Sequence, residues 1–185
     1  MDVVEAIQTR RALRSLRPVT ITDEMVDDLA TCAGLSASCF NNQPWHFVFV
    51  RDAGQLERLK DTLSKGNDWA RSASMLVAVF SKKDDDCVIG DREYHLFDTG
   101  MASAHLILRA TEMGLVAHPI AGFSQRSARE VLSIPNDYTV IALVVVGKRS
   151  RIIGPDLSPD QVKSEKKRPE RKPPDEFAHH DRFNG

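Results

Sequence analysis

The chain has 185 residues, 42% hydrophobic and 28% charged, enough apolar material for one globular domain with a buried core. Its formal net charge of -1 gives no global field to draw it to nucleic acid or an anionic membrane, and no apolar run is long enough to span a bilayer. The 3 cysteines, Cys32, Cys39 and Cys87, are odd in number and lack C-x-x-C spacing; this argues against a disulfide framework and for a reducing, cytoplasmic compartment. Met1–Glu5 carries an early acid and no signal-peptide apolar core, which agrees.

Asp2 to about Thr9 is predicted as a short helix capped by Asp2, with Val3, Val4, Ala6 and Ile7 on its apolar side. Arg10, Arg11 and Arg14 follow. They suit a solvated basic helix end, and equally they can converge on one phosphate through paired, charge-assisted hydrogen bonds. Pro18 breaks the chain, Thr22 caps a helix from Asp23 to Ala33, and Gly34 fits its end. The stretch Ser38-Cys39-Phe40-Asn41-Asn42-Gln43-Pro44-Trp45 then crowds Ser38, Asn41, Asn42 and Gln43 into a few positions. Such groups can bond a planar heterocycle, although the same composition also makes an ordinary helix-to-strand loop.

A strand is predicted for His46–Val50, then an amphipathic helix through Leu56, Leu59 and Leu63. Gly66-Asn67-Asp68 punctuates before Trp69. Met75–Phe80 is continuously apolar, which predicts a strand covered on both faces. Lys82–Asp86 reads as an exposed loop, because consecutive aspartates converge poorly on a metal ion. The longest helix, about Glu93 to Met113, is apolar on several sides and so is expected at the centre or between subunits. Its His95 and His105 lack i, i+4 spacing, no zinc pattern is present, and His46 and His118 flank strands where they could meet a ligand.

Leu115–His118 is predicted as a short strand and Pro119-Ile120-Ala121-Gly122-Phe123 as the turn after it. Ser124 caps a helix to about Leu132, and Thr139–Val146, ended by Gly147, is the strongest strand. From Arg149 onward the chain is polar, charged and proline-bearing. That composition suits disorder, or a tether that returns Arg171 to the body or to a second subunit.

Taken in order, these segments resemble the FMN-dependent nitroreductase family from Val3 to about Pro174. Arg10-Arg11-Ala12-Leu13-Arg14 matches the opening Arg-x-Ser-x-Arg/Lys with Ala12 in place of serine. Ala37–Trp45 matches Pro-Ser-x-x-Asn-x-Gln-Pro-Trp with Ala37 in place of proline. Pro119–Phe123 matches Pro-Ile-Glu-Gly-Phe with Ala121 in place of glutamate, and Arg171 falls where the family has a late arginine.

The resemblance implies an α+β fold with a central, mainly antiparallel sheet flanked by helices, built as an intertwined homodimer. Residues 1–148 would form the FMN-binding domain, and 149–185 an extension packed on the dimer and flavin site. Arg10, Arg11, the backbone of Ala12 and Arg171 would hold the FMN phosphate, and Arg14 the pyrimidine edge. Ser38, Asn41 and Gln43 would come from the partner subunit, and Cys39 would be a further cofactor-binding residue. The backbone N–H groups of Ala121 and Gly122 would face the N5/O4 side, with Pro119 and Ile120 also cofactor-binding and Asn67 as a further edge contact. Alanine at positions 12 and 121 removes a hydroxyl and a carboxylate from the family pattern, making the pocket less acidic. Hydride would pass from NADH or NADPH through the flavin to a nitroaromatic, quinone or related small electrophile by a ping-pong route, with no metal and no evident side-chain acid. A dinucleotide fingerprint is absent, as suits a donor that stacks transiently on the flavin. The alternatives are reductive dehalogenation or reduced-flavin fragmentation on the same scaffold, or a flavin-binding or sensing module with little turnover.

Overall fold

The computed structural model describes residues 1–183. It is an α+β structure in which one antiparallel sheet lies between two helical layers. The elements in chain order are α1 (Val3–Thr9), β1 (Leu16–Arg17), α2 (Asp23–Gly34), β2 (His46–Val50), α3 (Ala53–Lys60), β3 (Met75–Ser81), β4 (Val88–Ile89), β5 (Arg92–Glu93), α4 (His95–Glu112), β6 (Val116–Ile120), α5 (Gln125–Leu132), β7 (Thr139–Arg149) and α6 (Pro159–Lys166).

The sheet runs β2-β3-β7, with β6 and the short β1 also paired to β7; β4 and β5 form a separate hairpin. Every residue of β3 is buried. Alternation within that apolar run explains how. Leu76, Ala78 and Phe80 enter one core with Leu56 and Leu59 of α3 and Ala128 of α5, whereas Met75, Val77 and Val79 enter the other with Leu29 and Ala33 of α2 and Ala102, Leu106 and Ala110 of α4. β7 divides its side chains the same way, Leu143 and Val145 to one face and Val144 and Val146 to the other. Both helix caps at the amino-terminal end form as expected: Asp2 accepts from Glu5 N–H and Thr22 from Met25 N–H.

Four expectations need correction. First, Pro119 and Ile120 belong to β6 and not to a turn, pairing with Val144 and Leu143. β6 is an edge strand, where a proline without an N–H is tolerated. Second, β7 does not stop at Gly147 but continues to Arg149. There the glycine allows close approach, since a Cβ would meet Leu16 Cδ1 at 3.3 Å. Third, Cys39 and Cys87 form a disulfide with Cα atoms 6.1 Å apart, against the expectation drawn from the odd count; Cys32 is the free thiol. Fourth, of the apolar side of α1 only Ala6 is buried within this chain, and Val3, Val4 and Ile7 are exposed.

The stretch after Arg149 carries α6, begun by a capping box in which Ser158 Oγ accepts from Gln161 N–H while the Gln161 side chain accepts from Ser158 N–H. Leu157 packs on the core beneath α3 and α5, and Glu165 is buried. No helix among the described residues is long and apolar enough to cross a membrane.

Candidate functional site

The segment from Arg10 to Arg14 leaves α1 in extended form and is strapped down by the carboxy-terminal residues. Arg11 donates to the carbonyls of Ser164 and Glu165, at the end of α6 where the helix dipole favours a cation. Arg14 N–H donates to Glu165 Oε1 at 2.6 Å. Arg168 donates to the carbonyls of Gln8 and Arg10, both at 2.6 Å.

The guanidinium of Arg10 makes no hydrogen bond or ion pair among the described residues. Burial, then the nearby charges of Arg168 and Arg171, hold its pKa below the usual arginine value. It nonetheless stays protonated at neutral pH. The structure thus brings Arg168 onto Arg10, with the charge of Arg171 near enough to act on it, whereas the Arg11 side chain is taken up by α6. Ala12 is exposed.

Arg14 lies 5.7 Å over the ring of Trp69, and its Nε is buried without a partner. Burial lowers its pKa, and Glu165 opposes that shift. Trp69 is 5% exposed, and on it stacks His118, ring centroids 4.7 Å apart. His118 Nδ1–H donates to Leu13 O at 3.1 Å. Burial dominates the other influences on this imidazole and pushes its pKa down to about 4, so it is neutral at pH 7. His118 thus faces the core and fixes the backbone beside Arg14.

Trp69 Nε1–H donates to Asn67 Oδ1 at 3.3 Å, and Asn67 Nδ2–H donates to Gly122 O at 3.0 Å. Asn67 and the Ala121–Gly122 turn thus meet, and they meet closely: a Cβ on Gly122 would sit 2.2 Å from Asn67 Nδ2. Pro119 and Ala121 are exposed, while the Ile120 side chain is buried in the core and offers only its backbone.

The loop Ser38–Gln43 is elsewhere. It precedes β2, and β2 stands three strands from β6, roughly 14 Å at the usual ~4.8 Å spacing. Within it Gln43 N–H donates to Ser38 Oγ at 3.0 Å and Asn41 N–H to Ser38 O at 3.1 Å. Cys39 N–H donates to Asp98 Oδ2 of α4 at 2.7 Å, and Asn42 Nδ2–H to Asp86 Oδ1 at 3.3 Å. Asp98 is buried, which raises its pKa; the Cys39 N–H opposes the shift and the Asp86 carboxyl adds to it. Phe40, Asn41 and Gln43 have φ of 47°, 60° and 54°. Among the described residues no hydrogen bond or ion pair joins this loop to Arg10, Arg14 or Gly122.

Cys39, Asp86 and Cys87 lie close enough to share a metal ion, but the two sulfurs are spent in the disulfide. His46 stacks on Phe80 and reaches Asp85 Oδ2 at 3.3 Å, on the loop side of the sheet.

Sequence reasoning missed Glu165, Trp69 and Asp98 as organising residues. The Ser158-x-x-Gln161 capping box was a readable signal for the helix that presents Glu165.

The family model described as "Nitroreductase family" matches residues 7–148. A protein of Methanothermobacter thermautotrophicus, provisionally named an NADH dehydrogenase/NAD(P)H nitroreductase, is 27% identical over 173 residues, covering 90% of this chain and 88% of its own. The oxygen-insensitive NADPH nitroreductase of Helicobacter acinonychis is 28% identical over 165 residues, covering 70% of this chain and 79% of its own. A crystal structure described as an oxidoreductase containing FMN superposes with a TM-score of 0.85 at 27% identity, covering 100% of this chain and 94% of that one.

Proposed function

The chain belongs to the nitroreductase family, and from that premise we propose that it is an FMN-dependent oxidoreductase working as a homodimer, with hydride drawn from NADH or NADPH and given to a nitroaromatic, quinone or related electrophile. The observation that carries the cofactor assignment is the guanidinium of Arg10, beside Arg168 and Arg171 and without an acceptor among the described residues. Uncompensated positive charge of this kind fits a phosphate dianion. One further feature fits a bound ligand: Arg14 Nε, buried without a partner among the described residues.

In this reading Arg10 and Arg171 grip the phosphate. Arg14, held between Trp69 and Glu165, places a cation at the pyrimidine edge, where negative charge gathers on reduction. Arg11 contributes by fixing α6. Ala121 and Gly122 offer backbone N–H groups on the reactive side, and Asn67 holds that turn in place. FMN, when bound, supplies the hydride acceptor and donor; the protein supplies placement and field. Donor and oxidant using one face in turn would give ping-pong kinetics.

Ser38, Cys39, Asn41 and Gln43 precede β2, at the opposite edge of the sheet from β6, whose His118 fixes the backbone beside Arg14. We assign them to the partner's flavin. The exposed apolar residues Val3, Val4 and Ile7 of α1 and Leu96 and Phe97 of α4 support such an interface.

The test is anaerobic. Purified protein should be yellow, bleach with NADH or NADPH, and regain colour with a quinone. Stable colour with both donors would instead support a flavin-binding module.

A further inference from the structure

The disulfide has no part in the reading above, yet it sits inside the loop to which that reading assigns flavin contacts. Its two ends differ in character. Cys39 opens the short 3-10 turn Cys39–Asn41. Cys87 ends the charged segment before the β4–β5 hairpin, whose four residues are exposed. The bond crosses a sequence separation of 48 residues.

The loop needs holding. Phe40 has a left-handed φ of 47° and is 87% exposed, so no packing compensates for its backbone conformation. Asn41, next to it, is also left-handed, and so is Gln43. The ties from this loop to the rest of the chain converge on a small region: Cys39 N–H to Asp98, the Asn42 side chain to Asp86 and Cys87, and the covalent bond itself. Both cysteines are half-buried, and each is next to an exposed residue: Phe40 beside Cys39, and Val88 of the exposed hairpin beside Cys87. Cys32, on α2, has no part in this cluster.

We propose that Cys39–Cys87 is a dithiol-exchange site that sets the order of the Ser38–Gln43 loop, and through it the protein's grip on FMN; this second half rests on the flavin reading. The chemistry is ordinary exchange. One thiolate of a dithiol attacks a sulfur of the bridge, the Cys39–Cys87 bond breaks as a mixed disulfide forms, and the second thiol closes the reagent's own disulfide. Two electrons and two protons end on Cys39 and Cys87, and the dithiol is the species oxidised. The reduced loop keeps its hydrogen bonds to Asp98 and Asp86 but loses its covalent tie, and the strained residues gain room to relax. If the reduced loop spends about a tenth of its time in the binding conformation, the apparent Kd for FMN weakens about tenfold.

The experiment uses the full chain carrying Cys32→Ala, equilibrated with oxidised or reduced dithiothreitol. Three quantities are read: free thiols after unfolding, the Kd for FMN by fluorescence titration of the apoprotein, and the rate of chymotrypsin cleavage after Phe40 by mass spectrometry. The oxidised chain should show no free thiol, the tighter Kd and slow cleavage. The reduced chain should show two thiols, a Kd weaker by about tenfold and faster cleavage. Adding Cys87→Ser should fix the reduced values of Kd and cleavage under both conditions. Two free thiols under oxidising conditions would overturn the exchange site, as would equal cleavage in both states. An unchanged Kd in a chain that does bind FMN would overturn the link to the flavin. Absence of FMN binding in either state would instead sink the flavin reading, and the cleavage rates would still decide the exchange site.

Discussion

The contact between Asn67 and Gly122 allows a prediction in which the size of the effect follows from geometry. A methyl group placed on Gly122 falls 2.2 Å from Asn67 Nδ2, well inside van der Waals contact. Asn67 must therefore move, and Gly122→Ala breaks two bonds at once: Asn67 Nδ2–H to Gly122 O at 3.0 Å, and Trp69 Nε1–H to Asn67 Oδ1 at 3.3 Å. The first is worth about 1 kcal/mol, and stranding the buried indole N–H costs about 1–3 kcal/mol. Together the loss is roughly 2–4 kcal/mol, or a fall in Tm of roughly 4–16 °C at about 2–4 °C per kcal/mol for a chain of this size. The decisive assay is a double-mutant cycle in urea. Asn67→Ala alone loses the same two bonds, but it also removes the obstacle. In that background Gly122→Ala should cost under about 1 kcal/mol, giving a coupling energy larger than the ~0.5 kcal/mol scatter of independent sites. Equal costs of Gly122→Ala in the two backgrounds would show that Asn67 is not what excludes a side chain there, and the cradle assigned to the flavin edge would lose its structural basis.

Further outcomes follow from the same region. His118 has a folded pKa of about 4, below its ordinary 6.5, so its contribution is full above pH 6.5 and is lost as pH falls toward 4. At pH 4.5 that loss is roughly 2–3 kcal/mol, and His118→Asn, which keeps a donor toward Leu13 O, should flatten this part of the urea-midpoint profile; an unchanged profile would remove His118 as its source. Arg10→Ala should weaken FMN retention by about tenfold or more, the worth of one charge-assisted hydrogen bond, with little effect on the midpoint potential. Arg14→Ala should lower that potential, and equal potentials in variant and parent, titrated against a reference dye, would cancel the role given to Arg14. A chain ending at Ser150 should lose most of its FMN while one ending at Ala178 keeps it; a yellow, active product of the shorter chain would reduce α6 and Arg171 to an appendage.

Local signals were readable wherever one short stretch carries the whole cause. Asp2 and Thr22 cap helices because their side chains reach the N–H three residues on, and β3 is an unbroken apolar run because both faces are covered. The motif positions around Arg10–Arg14, Asn67 and Gly122 could be marked, and the fold places Arg14 and Asn67 against Trp69 and Gly122 against Asn67. The meeting of Asn67 Nδ2 with Gly122 O could not be read, since it depends on how two turns 55 residues apart settle. The disulfide was hidden for the same reason: only the folded chain brings Cys87 beside Cys39, and an odd count conceals a single pair. Glu165 was lost among charged neighbours because burial of one carboxylate in a polar helix leaves no trace in composition. Gly147 was misread because a glycine in a strand can mark close approach as well as an ending.

The bonds of Arg11 and Arg14 to α6 span 151 to 154 residues of sequence. Seen in the order of synthesis, the arginine segment is among the first parts of the chain to appear and among the last to acquire its neighbours. The sheet has all its strands once Arg149 has emerged, but the helix that orients Arg14 ends at Lys166. At about 5–20 residues per second the interval is roughly one to three seconds. During it the newborn chain has all its strands, but Arg11 and Arg14 still lack their partners on α6. On the proposed flavin reading, cofactor capture would therefore follow the folding of the sheet, and a translation product broken off after β7 would remain colourless.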